Sequence, residues 1–218
     1  MGKTALIIGA TGLIGKKLTE QLFNDPYYEV VRIFVRRPGG FSHPKLEEFV
    51  IDFDQPETWK SKVTGDVLFS TLGTTIKTAK TQANQYKVDF TYQYEFARAA
   101  SENKVPNYVL VSSAGADPQS RLFYSRMKGD LEEAVKKLPF RKIVIMQPSL
   151  LDGERQEKRP AEKISLSIAR SLTKIVFRKY RPAKAEVVAR AMIKSVSDHS
   201  LPARQVFTLN EVLDYAAR

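Results

Sequence analysis

Tyr124 and Lys128 stand four residues apart in "LFYSRMKGDLEEAV". On a helix, that spacing puts a phenol and an ammonium one above the other. A phenol titrates near ~10 when unperturbed, and a neighbouring cation favours its ionised form. A pair of this kind can pass a proton to or from a carbonyl oxygen. Spacing alone does not decide the matter, because Tyr180 and Lys184 form a second Tyr-x-x-x-Lys. Pro182 falls inside that second spacer and spoils its helical geometry. The first pair is preceded by "VSS", so Ser113, with Ser112 as the alternative, is placed to hydrogen-bond the same oxygen.

Apolar runs and helical stretches alternate along the chain. "TALIIG", "YEVVRIFVR", "EEFVIDF", "DVLFSTLG", "NYVLVSS" and "RKIVIMQPS" read as six buried strands. "LIGKKLTEQLFND" is helical, with Leu13, Ile14, Leu18, Leu22 and Phe23 on one side. A long helix is expected from about Asn84 to Asn103, and another carries Tyr124 and Lys128. Uniformly apolar strands between helices predict a parallel sheet covered on both faces, a doubly wound Rossmann α/β fold. Residues 1–218 read as one domain, with residues 150–205 forming a small, mainly helical C-terminal cap. Within that cap "ISLSIARSLTKIVFR" and "AEVVARAMIKSVSD" are helical, and "QVFTL" reads as a further strand before a short terminal helix.

In such sheets, ligands bind beyond the carboxyl ends of the strands. "IIGATGLIG" sits at the first of these ends, with Gly9, Gly12 and Gly15 in G-x-x-G-x-x-G spacing. The first glycine allows the tight turn, the second lets backbone N–H groups approach a pyrophosphate, and the third lets the helix pack closely. Thr11, Leu13 and Ile14 complete this dinucleotide-binding turn. The second strand ends in Arg36 and Arg37 where an NAD site carries an acid. A guanidinium suits a 2′-phosphate, so NADP (NADPH) is favoured over NAD. Asp52 and Phe53 would flank the adenine, and Leu72 and Gly73 would pass beneath the middle of the cofactor. Lys128 would hold the nicotinamide ribose as well as acting on Tyr124.

The composition removes several other chemistries. There is no Cys in 218 residues, which excludes thiolate nucleophiles, disulfides and Cys-held metals. His43 and His199 are isolated, so no metal site is expected. No signal peptide or membrane span is read, and a cytoplasmic location is expected. The net charge is +11, and residues 155–204 carry thirteen basic and four acidic side chains. That stretch is a solvated face or an anionic small-molecule site. Without aromatic platforms it argues against nucleic acid, and its amphipathic helix reads as cap core rather than as a membrane anchor.

"GATGLIG", "VSSAGAD" and "YSRMKG" together resemble the short-chain dehydrogenase/reductase superfamily. More closely, "STLGTT", "FYSRMKGDLEEAV", "PSLLDGERQEKRP" and "ARAMI" resemble its atypical branch, the HIV Tat-interacting protein oxidoreductases. The resemblance implies NADPH binding and a Ser113-Tyr124-Lys128 site, with Pro148 and Ser149 bordering the nicotinamide. Relatives of this kind carry an Asn on the long helix to support a proton relay. Here "YKVDF" places Lys87 or a neighbour at that point. Two functions follow. The first is an NADP-dependent oxidoreductase acting on a small carbonyl substrate, with Tyr124 as acid/base. The alternative is a non-catalytic, NADPH-sensing module that binds a protein partner. Substrate, reaction direction and oligomeric state are not written in the sequence.

Overall fold

The computed structural model describes residues 2–149, 151–152 and 182–218. Seven parallel strands form one sheet in the order β3-β2-β1-β4-β5-β6-β9. They are β1 (Lys3–Ile8), β2 (Tyr28–Val35), β3 (Leu46–Val50), β4 (Val67–Ser70), β5 (Asn107–Val111), β6 (Lys142–Gln147) and β9 (Arg204–Thr208). β7 (Leu151–Asp152) and β8 (Ala183–Lys184) make a separate two-stranded ribbon. The doubly wound parallel sheet expected from the apolar runs is therefore present, and "QVFTL" does supply a further strand.

The period-two alternation of β1 shows why the sheet is covered on both sides. Ala5 and Ile7 face one core with α1 (Leu13–Asn24), α7 (Ala185–Ser197) and α8 (Asn210–Ala217). Leu6 and Ile8 face a second core with α2 (Pro56–Trp59), α5 (Tyr92–Glu102) and α6 (Phe123–Lys136). Trp59 stacks on Phe96 there at 4.0 Å between ring centroids. The apolar runs Ala5–Ile8 of β1, Val67–Phe69 of β4 and Ile143–Met146 of β6 are what double-sided burial requires.

Two expectations need adjustment. The long helix is not uniform. It runs as α4 (Gln82–Tyr86), a π segment (Lys87–Thr91) and α5. The cap is also narrower than residues 150–205 within the described residues. Val188, Ala189, Ala191 and Met192 of α7 are fully buried in the same core as α1, and β9 pairs with β6. An apolar stripe at helical spacing finds the sheet wherever it lies in the chain. The helix read in "ISLSIARSLTKIVFR" and Tyr180 lie outside the described residues. In the ribbon, Leu151 pairs with Ala183 and Asp152 with Lys184.

Candidate active site

β1 and β4 are neighbours, yet the chain visits β2 and β3 between them. This reversal opens a crevice at their carboxyl ends, the usual ligand position in such sheets. Gly9 leaves β1 with φ +83°, a conformation that only glycine adopts without strain. A Cβ on Gly9 would collide with the backbone of Thr71 and Leu72, just beyond β4. One on Gly15 would collide with the Gly9 carbonyl. The turn is therefore packed between the start of α1 and the exit of β4, with Gly12 N–H donating to the Gly9 carbonyl at 2.9 Å. Gly12 is the N-cap of α1, and no side chain caps that end. The first-turn N–H groups are left for an anion. Thr11 is exposed on the turn, Leu13 is half-buried and Ile14 is buried.

Beside the turn, a cavity of about 600 Å³ is lined by Arg36, Leu72, Gly73, Lys87, Val88 and Tyr92, among others. This brings Arg36 together with the two residues expected beneath the cofactor. Arg37 is exposed at the same strand end. Asp52 is exposed, and its carboxylate accepts from the Asp54 N–H and the Gln55 side chain at 2.9 and 3.1 Å. The Phe53 ring turns into the core, 5.2 Å from Tyr92 and 5.4 Å from Phe96. Asp54 bonds Lys87 at 2.7 Å and Tyr92 at 2.9 Å across the cavity rim. These two donors hold its carboxyl below the usual carboxylate value, the Lys87 bond contributing most.

At the other end of the crevice, α6 carries Tyr124, half-buried, and Lys128, buried. The Lys128 Nζ lies 5.9 Å from the centre of the Tyr124 ring, within range of a cation–π contact. Gly129, the glycine of "MKG", has a packing reason. A Cβ there would collide with the backbone of Asp117 and Pro118. The loop that carries Ser113 can thus lie against α6, and the Asp117 N–H donates to the Ser125 carbonyl at 3.0 Å. The two serines part company. Ser112 is buried and bonds Glu132, which also accepts from Gln147. Ser113 is half-buried, with one long contact of 3.4 Å to the Ala114 carbonyl. Pro148 is buried, and its carbonyl accepts from the Ala114 N–H at 3.2 Å.

One residue was missed from sequence. Asp89 pairs with Lys128 at 3.0 Å, the two side chains being 2% and 4% exposed. Its other oxygen accepts from the Thr74 N–H at 2.7 Å. Of "YKVDF", where Lys87 or a neighbour is expected at the relay position, Lys87 faces outward to Asp54 while Asp89 faces Lys128. The competing pair is removed too. Lys184 lies in the extended ribbon and not on a helix with Tyr180's spacing. His43 stacks on Phe23 at 4.4 Å, and His199 is exposed. Among the described residues there is no cluster able to hold a metal, and no helix is long and apolar enough to cross a membrane.

Residues 9–163 match a family profile described as NAD(P)H-binding. Relatives include the mitochondrial protein FMP52 of Coccidioides immitis, 37% identical over 172 residues, covering 73% of this chain and 70% of that one. The Aspergillus clavatus fmp52 protein, also named mitochondrial, is 36% identical over 202 residues, covering 87% and 85%. Among solved structures, MoeE5 with UDP-glucose and NAD superposes with TM-score 0.70 over 98% of this chain and 81% of that one, at 16% identity. A short-chain dehydrogenase/reductase superfamily protein of Agrobacterium tumefaciens with bound NAD gives 0.69 over 94% and 77%, at 15% identity. The structural likenesses bear on the fold. The relatives' names overturn the cytoplasmic expectation and point to mitochondria. The cytoplasmic expectation rested on reading no secretory signal or span, which does not separate the cytoplasm from an organelle.

Proposed function

The chain belongs to the NAD(P)H-binding family and, within it, to the FMP52 proteins, and on that premise we propose that it is an NADPH-dependent reductase of a small carbonyl compound. The observation that carries the reading is the placement of Lys128 one helical turn above Tyr124, with its Nζ 5.9 Å from the phenol ring, on the helix that follows β5. A buried lysine so close to a half-buried tyrosine has a use in proton transfer that it lacks in packing.

The residues that fit the cofactor are those of the glycine turn and the adjoining cavity. Gly9, Gly12 and Gly15 with the start of α1 would hold the pyrophosphate. Arg36 and Arg37 would take the 2′-phosphate, which selects NADP over NAD. Leu72 and Gly73 would run under its centre, and the backbone at Pro148 would border the nicotinamide. When bound, the reduced nicotinamide supplies a hydride to the carbonyl carbon. Tyr124 Oη gives its proton to the carbonyl oxygen, so that an alcohol results. Ser113 Oγ donates a hydrogen bond to that same oxygen and steadies the developing charge. Lys128 stabilises the phenolate left on Tyr124 until solvent returns a proton.

The test is consumption of NADPH or NADH by the full chain with a panel of aldehydes, ketones and quinones. Turnover that depends on one carbonyl class and prefers NADPH supports the reductase. Tight NADPH binding with no consumption across the panel would favour the alternative, a cofactor-sensing module.

A further inference from the structure

We propose that Asp89 is a positioning residue that acts on the site through Lys128 and ties the place of Lys128 to the loop leaving β4. This rests on the reading of Lys128 as part of the cofactor site. Burying an ammonium and a carboxylate is expensive, and a pair persists only when further hydrogen bonds complete it. Here both side chains are under 5% exposed, and the second carboxylate oxygen takes the Thr74 N–H. Gly73 leaves the room this needs, because a Cβ there would stand 3.3 Å from Asp89 Oδ1. One carboxylate thus joins the ammonium at one end of the crevice to the backbone at its centre.

The helical run around Asp89 extends the same link. Gln85, Asp89 and Gln93 recur every four residues, and all are at least 95% buried. Gln85 Nε2 reaches the Thr74 carbonyl at 3.4 Å. Gln93 donates to the Asp89 carbonyl at 2.7 Å and accepts from Ser70, the last residue of β4, at 2.6 Å. Three polar side chains on a face that could have been apolar clamp residues 70–74 from one side. The π segment carries the middle member of this ladder, and such segments are frequent at functional sites. Asp89 and Tyr124 are among the groups that face Lys128. Asp89 approaches from the π segment, and Tyr124 from one turn away on the same helix.

The experiment is a double-mutant cycle on the full chain, with NADP⁺ as the calorimetric probe. The variants are Asp89→Asn, Lys128→Met and the two combined. If Asp89 acts through Lys128, Asp89→Asn weakens NADP⁺ about fivefold in the wild type and less than about twofold beside Lys128→Met. An equal loss in both backgrounds means that the carboxylate only supports the fold, and overturns the proposal. So does an unchanged affinity in Asp89→Asn. If Asp89→Asn alone fails to fold while the double variant folds, the carboxylate serves only to neutralise a buried ammonium, and the proposal is overturned. Failure of both to fold overturns it. If Lys128→Met alone binds NADP⁺ as the wild type does, Lys128 lies outside the cofactor site and the underlying reading falls with the proposal. If Lys128→Met weakens binding and the cycle shows no coupling, only the proposal for Asp89 falls.

Discussion

Ser112 gives its hydroxyl hydrogen to the buried carboxylate of Glu132, while its chain neighbour Ser113 has only a long contact to the Ala114 carbonyl. Adjacent residues at a strand end point to opposite sides, so one serine is spent on the fold, and in the proposed reading the other would serve the ligand. Ser112→Ala is expected to cost about 1–3 kcal/mol of stability through the lost bond to a buried charge, with NADPH turnover per folded molecule little changed. Ser113→Ala should leave the denaturation midpoint in place and lower turnover about 10-fold or more. Urea unfolding beside steady-state rates separates the two.

Arg36 lines the cavity beside Leu72 and Gly73. In the proposed reading, a guanidinium there would answer a 2′-phosphate that NAD lacks. Arg36→Gln is expected to weaken NADP⁺ about tenfold or more and to leave NAD⁺ within about twofold. Calorimetric titration with each nucleotide checks this, and equal losses for both would remove Arg36 from the 2′-phosphate.

Gly9 has φ +83°, and a Cβ on it would meet the backbone beyond β4. Gly9→Ala is therefore expected to lose about 2–3 kcal/mol from backbone strain and from separation of the turn and β4. Thermal unfolding would show the loss, and nucleotide binding should be weakened beyond detection by calorimetry.

Acid should destabilise the fold in part through the C-terminal segment. The Ser200 hydroxyl, the Tyr215 hydroxyl and the Ser200 N–H hold the Asp198 carboxyl below its ordinary 3.8. The Thr208 N–H and hydroxyl hold Glu211 below its ordinary 4.5. A carboxyl depressed in this way binds fewer protons folded than unfolded. Its contribution is complete above the unfolded value and is lost as the pH falls through the folded one. The urea midpoint should drop between about pH 5 and about pH 3. Asp198→Asn should start lower at pH 7 and drop less over that interval.

Much of this was legible in the sequence because it depends on local pattern. The uniformly apolar run of β1 and the apolar stripe of α1 point to the two-sided sheet. The glycines at 9, 12 and 15 announce a turn that only a missing Cβ permits. What escaped depends on contacts far apart in the chain. Asp89 and Lys128 are separated by α5, β5 and the loop before α6, so no spacing rule pairs them. The π segment shows no proline or glycine to mark it, yet it carries both the outward Lys87 and the inward Asp89. Gln85, Asp89 and Gln93 at four-residue steps did carry a signal, a polar stripe on a face where apolar residues were expected. The cap was drawn too wide because the basic character of residues 155–204 was read as one unit, while the apolar face of α7 belongs to the main core.

The most direct measurement is NADPH oxidation by Tyr124→Phe with whichever carbonyl compound the wild type accepts, read beside the NADPH affinity of both proteins. If Tyr124 delivers the proton, turnover falls about 100-fold or more while NADPH affinity stays within about threefold. Equal turnover in the two proteins would contradict the account, because the proton would then come from elsewhere and the Tyr124–Lys128 pair would be a feature of the fold alone.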